Sequence, residues 1–242
     1  LLVIVPHVRG REPFGVFRRG GRSMWLSGLC WSVMFTAFMV ALTLTSVANV
    51  LVTMAAGPFM TALFARAALG YRIPPRTWWA IVVAGAGIVW MYAAKISAGE
   101  LAGTLVALAV PVAASINWTV AQQARSRGEK VDLIPSVLIG AVISSLVTLP
   151  WAMPFEATGH DIGLLALLGL VQLAIPCTLV VLCARVLAAP EVALLGLLEV
   201  VFGILLAWGG AGERPAPEVL TGGTLVIGAL LVNELIGWRR RT

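Results

Sequence analysis

The chain has 242 residues, 60% of them hydrophobic and only 12% charged, with a mean hydropathy of +0.96. Soluble domains carry about 25% charged residues to solvate their surface, so a chain this apolar has lipid as its solvent. The net charge of +6 does not signal nucleic acid, because the basic residues sit in short loops between apolar runs.

Taken from the start, Leu1–Pro6 is an apolar stub followed by the basic stretch His7–Arg22. It is too short to span and lacks the charge-then-apolar order of a signal peptide, so it reads as the end of a helix whose beginning is absent. Apolar runs then follow at about 24–45, 48–69, 77–95, 101–123, 134–153, 162–185, 191–209 and 219–238. Each approaches the roughly 20 residues that a helix needs to cross the hydrocarbon core. Continuous runs, rather than alternating ten-residue segments, predict helices and not a barrel. The expected fold is an all-α integral membrane bundle of about eight transmembrane helices. Turns are marked at Gly70–Pro75, Gly128, Pro154–Gly159 and Gly212–Pro217.

Pro58, Pro111 and Pro176 fall inside spans, where each removes a backbone donor and can kink a helix. Cys30, Cys177 and Cys183 lie in apolar runs without metal-ligand spacing, and His7 and His160 are isolated, so no metal or cofactor is expected. No phosphate-cradling loop, zinc-protease motif or ATPase portion is present, so no enzyme chemistry is expected.

Placing the first loop inside and alternating puts fifteen of the 17 basic residues on the inner side, with only Lys95 and Arg214 outside. This bias predicts a cytoplasmic C-terminus. Trp25, Trp78, Trp79 and Trp238 at inner ends, and Trp90, Tyr92, Trp151 and Trp208 at outer ends, form the expected interfacial belts.

The chain also repeats itself. Thr45–Trp90 aligns without gaps on Leu187–Val232 at an offset of 142, pairing Gly70 with Gly212, Arg72 with Arg214 and Pro75 with Pro217. The shared pattern is apolar helix, G-x-R-x-x-P turn, apolar helix. By the charge count the two turns face opposite sides, which makes the repeat inverted, an architecture of secondary transporters.

These segments resemble a known family. ALTLTSVANVLVTMAAGPFMTALFARAALGYRIPPRTWWAIVVAGAGIVWM is similar to the first EamA-type repeat of the drug/metabolite transporter superfamily. ARVLAAPEVALLGLLEVVFGILLAWGGAGERPAPEVLTGGTLVIGALLV is similar to the second. The resemblance implies ten helices in two inverted halves, roughly the first two of which are missing here. Residues 1–95 would be the remainder of the first repeat and 101–238 the second. The chain departs from the family pattern at Val200, where proline is common, and at Tyr71, where glutamate is usual. The resemblance also implies a bacterial cytoplasmic (inner) membrane and export.

Ionisable or polar groups inside a membrane are the default candidates for a solute site. Glu199 stands mid-span, eight residues after Glu191, as a substrate-amine or proton-coupling group or as a structural carboxyl. Glu191, after Pro190, reads as a helix-start residue, and Glu234 as a group that snorkels or pairs with the terminal arginines. The other candidates are Asn117, Trp118, Gln122, Asn49, Thr53 and Gln172, each able to bind solute or to join two helices. Asn117–Trp118 combines an amide with a flat aromatic face that suits amphipathic solutes.

The expected function is a secondary transporter of small organic metabolites, such as amino acids or amphipathic compounds, working by alternating access. Its expected partners are the solute and the lipid bilayer, with a homodimer allowed and no nucleic acid. The rival readings are a non-transporting scaffold or inactive fragment, and a membrane-embedded lipid-modifying enzyme, for which clustered Asp, His or Lys is lacking.

Overall fold

The computed structural model describes residues 21–45, 47–54, 56–70, 72–92, 101–128, 132–154, 157–198, 202, 209 and 217–239. Among these the secondary structure is helical: α1 Arg22–Leu44, α2 Val47–Met54, α3 Gly57–Leu69, α4 Pro75–Tyr92, α5 Leu101–Ser126, α6 Ile134–Thr148, α7 Gly159–Leu168, α8 Ile175–Cys183, α9 Ala189–Gly196 and α10 Pro217–Arg239. A 3-10 turn, Leu149–Ala152, extends α6, and a π segment, Gly169–Ala174, joins α7 to α8. Four described stretches are long and apolar enough to cross a membrane: Arg22–Leu44, Leu101–Ser126, Ile134–Ala152 and Gly159–Cys183. The protein is a membrane helical bundle.

The three intraspan prolines act differently. The run expected as one helix over 48–69 is broken between α2 and α3. Pro58 sits in the first turn of α3, where its missing N–H costs nothing, and a tight Ala56 N–H to Thr53 carbonyl bond of 3.1 Å closes the break. Pro111 stays inside α5 without ending it. Pro176 stands in the first turn of α8, directly after the π segment, and the helical stretch Gly159–Cys183 continues through both.

Helix directions follow from side-chain pairs. Ser27 of α1 meets Asn117 near the end of α5 and Ser136 near the start of α6. Thr36 meets Ser144 further along both helices, so α1 and α6 run parallel and α5 opposes them. Thr61 of α3 meets Ser115 of α5, and Gly103 early in α5 lies against Thr45 before α2, so α2 and α3 run with α5. Gln122 near the end of α5 reaches the start of α9, and Arg125 reaches the end of α8. These pairings collect Arg22, Arg66, Arg72, Arg76, Arg125, Arg127 and Arg185 at one end of the bundle. Asp161 and Glu218, at the starts of α7 and α10, fall at the other.

The α1–α6 contact is close because glycine lines it. A Cβ on Gly140 would strike the Trp31 Cβ and come within 2.9 Å of the Gly28 carbonyl oxygen, and one on Gly28 would lie 2.6 Å from Ile139 Cγ2. Without side chains between them, the two backbones gain van der Waals contact that lipid cannot replace. By contrast, α7, the π segment and much of α8 leave Leu165, Leu168, Val171 and Leu179 exposed.

The sequence repeat reappears in the helix boundaries. At the offset of 142, α2 Val47–Met54 corresponds at both ends to α9 Ala189–Gly196, and α4 and α10 both start on the paired prolines Pro75 and Pro217. α4 and α10 pack on each other over their length. Thr77 meets Asn233, Gly87 meets the Gly222 carbonyl, and Trp90 Nε1 donates to Thr221 Oγ1 at 3.0 Å. Positions rise along α4 as they fall along α10, so these counterpart helices are antiparallel.

Candidate functional site

The polar interior is built on α5. Its last three turns carry Ser115, Asn117, Trp118, Thr119 and Gln122, all buried. Asn117 is 2% exposed, and the Ser27 hydroxyl donates to its Oδ1 at 2.6 Å. Ser27 Oγ also lies 2.8 Å from Ser136 Oγ, whose proton goes to the Leu133 carbonyl at 2.6 Å. Three oxygen contacts share two hydroxyl protons. All three become hydrogen bonds only if the Asn117 amide turns over, so that Nδ2 donates to Ser27, Ser27 to Ser136 and Ser136 to Leu133. In either orientation Asn117 ties α1 to α5 and α6.

Trp118 is buried beside it. Its ring meets Trp31 edge to face at a centroid distance of 5.8 Å, and Trp31 stacks at a tilt on Phe35 at 5.4 Å. Around this pair lie Ala121, Val137, Val181, Ala184, Ala189 and Val192, which bring in α6, α8 and α9. Among the described residues, Trp31 Nε1 and Thr119 Oγ1 are buried without a hydrogen-bond partner in the protein. An orphaned buried donor costs about 1–3 kcal/mol, which a solute acceptor would recover.

Gln122 has a defined partner. Its Oε1 accepts the Ala189 N–H at 2.7 Å. That N–H is one of the donors at the start of α9 that lacks an intrahelical acceptor, so Gln122 caps α9 from another helix. Glu191 Oε2 accepts the neighbouring Ala188 N–H at 3.0 Å, the helix-start role expected of it. Lower down, Thr61 Oγ1 reaches Ser115 Oγ at 3.0 Å, joining α3 to α5.

The structure therefore brings Asn117, Trp118 and Gln122 together on α5 facing α1, α6 and α9. It keeps Gln172 apart, exposed on the π segment. Thr53 is partly buried near the end of α2. Glu199 lies outside the described residues, as do the side chains of Asn49 and Glu234. Ser27, Trp31, Ser136 and Arg125 were not singled out from sequence. The spacings Gly28-x-x-x-Ser32 and Ser136-x-x-x-Gly140 were the available signal, since small residues four apart mark close helix contacts. Among the described residues no group of three His, Cys, Asp or Glu could hold a metal ion.

Comparison with known proteins bears on this arrangement. The model of the EamA-like transporter family matches residues 1–93 and 101–234. No curated protein matches the sequence. Among the solved structures similar in fold is a crystal structure with a TM-score of 0.79 and 19% identity, over 97% of this chain and 82% of that chain. At that identity the likeness concerns the fold alone. The family match takes in nearly the whole chain, and with it the protein is a multi-pass membrane transporter of small molecules: it belongs to the EamA-like transporter family of the drug/metabolite transporter superfamily.

Proposed function

We propose that the protein is a secondary carrier that exports small organic metabolites, amino acids or amphipathic compounds, across a bacterial cytoplasmic membrane by alternating access. The observation that carries this reading is the antiparallel packing of α4 on its sequence counterpart α10. Two like halves of opposite sense can exchange conformations, which turns one binding site from one side of the membrane to the other. In this reading residues 1–95 and 101–238 are the two repeats, and the arginine-rich end and the C-terminus face the cytoplasm.

The solute would bind near the membrane midplane between α1, α5 and α9. Trp118 and Trp31 supply an aromatic wall, Asn117 an amide, and Trp31 Nε1 a donor without a partner. Glu199 supplies the charge that would hold an amine or a coupling proton, with Asn49 and Thr53 as further polar contacts. Gln122 serves the helix junction in the conformation described.

Counterflow of labelled amino acids and related metabolites into proteoliposomes tests this. The parent protein should exchange at least one solute. Glu199→Gln should lose most of that exchange or its pH dependence. Unchanged exchange with unchanged pH dependence would remove Glu199 from the mechanism, and no exchange by the parent would remove the carrier reading.

A further inference from the structure

The links between α5–α6 and the α8–α9 turn gather at the arginine-rich end. Arg125 Nη1 donates to the Leu187 carbonyl at 2.9 Å and reaches the Ala184 carbonyl at 3.4 Å. Ala184 is the C-cap of α8, where carbonyls lack intrahelical donors, and Leu187 lies in the turn that follows it. One turn earlier, Gln122 takes the Ala189 N–H at the positive start of α9. The third link is the ion pair of Arg185 Nη2 with Asp132 Oδ1 at 2.7 Å, and the same Asp132 oxygen accepts the Ile134 N–H at the start of α6 at 3.1 Å. Arg125 and Gln122 hold one chain turn from both sides, and Arg185 fastens that turn to the α5–α6 connection.

The packing on each side of these links is unequal. α1 lies closely on α6 through Gly28 and Gly140 and is tied to α5 by Ser27 and Asn117, and α3 lies on α5 through Thr61 and Ser115. On the α8–α9 side the buried apolar groups are short, Val181, Ala184, Ala189 and Val192, packed towards Trp31 and Trp118 with Leu187 half-buried beside them. Small side chains bury little area, so polar links weigh more there.

We propose that Arg125, Gln122 and the Arg185–Asp132 pair form a latch that closes the arginine-rich end of the bundle over Trp118 and Asn117. Its release lets the α8–α9 turn swing from α5 and opens the aromatic pair to that side. This rests on the carrier reading for its purpose, but its test does not. Arg125 and Gln122 are positioning residues. They act through the α8–α9 turn and touch no solute.

The test uses the full chain in lipid nanodiscs, with Cys30, Cys177 and Cys183 replaced by serine and Ala121→Cys as the reporter. Ala121 is buried in the cluster beneath the latch. Maleimide labelling should be slow in this parent and rise about tenfold when Arg125→Ala and Gln122→Ala are combined, with Arg125→Lys between the two. Asp132→Arg alone and Arg185→Asp alone should each raise labelling, and the two together should return it towards the parent rate. Rescue by the double exchange separates a latch from simple unfolding. A parent rate retained in all variants, or a double exchange that labels as fast as the singles, overturns the latch. Solute movement scored alongside separates the two ideas. Variants that open in a protein that moves nothing refute the carrier reading alone, and a working carrier with unaltered labelling refutes the latch alone.

Discussion

The Ser27 hydroxyl meets Asn117 Oδ1 at 2.6 Å across ninety positions of sequence, and both side chains are buried. In lipid such a bond gains little net energy, about 0.6 kcal/mol on average, since the separated helices find other partners. Leaving one partner buried alone costs more, about 1–3 kcal/mol. Asn117→Ala should therefore lower the thermal midpoint in detergent by several degrees. Pairing it with Ser27→Ala should cost less than the sum of the singles. Additive losses would mean that the two side chains do not interact.

Gly140 is tested by adding one methyl group. A Cβ there meets Trp31 and the Gly28 and Ser32 backbones, so Gly140→Ala must push α1 from α6. Overpacking of this kind costs about 1–3 kcal/mol. Gly163→Ala, on α7 with nothing within 4 Å of the added atom, should leave the midpoint unchanged. Thermal scans of the two variants side by side check the contrast.

The paired helices α4 and α10 give a third expectation. Thr77 Oγ1 donates to Asn233 Oδ1 at 3.2 Å, and Arg76 Nη1 donates to the Asn233 carbonyl at 3.0 Å. Asn233→Leu removes the side-chain acceptor and leaves the Arg76 bond to the backbone. The loss should be modest, about 1 kcal/mol. Gly87→Leu, aimed at the Gly222 carbonyl, should cost much more and separate the helices. A cross-link between cysteines at Trp90 and Thr221 should form in the parent background and fail in the Gly87→Leu background.

What could be read from sequence follows from what each interaction depends on. The helices and the offset of 142 were legible because hydropathy and the Pro75 and Pro217 turns are local signals, and the structure starts α4 and α10 on those prolines. The break between α2 and α3 was hidden because Ala55–Gly57 is as apolar as its surroundings, and only Pro58 marked it. The partners of Asn117 and Gln122 were not legible. Ser27 and Ser136 are common residues far away in sequence, and a backbone N–H such as that of Ala189 leaves no mark in the composition. Arg125 read as an orientation charge in a loop, yet it caps carbonyls beyond α8.

The opposed senses of the repeats stand beneath the whole account. Arg72 precedes α4 and Glu218 opens α10, at sequence positions close to equivalent in the two copies. Single cysteines placed at Arg72 and at Glu218, in a background without native cysteine, can be challenged with an impermeant maleimide from each side of sealed vesicles. The two positions should react from opposite compartments, and reaction of both from the same compartment would rule out an inverted repeat.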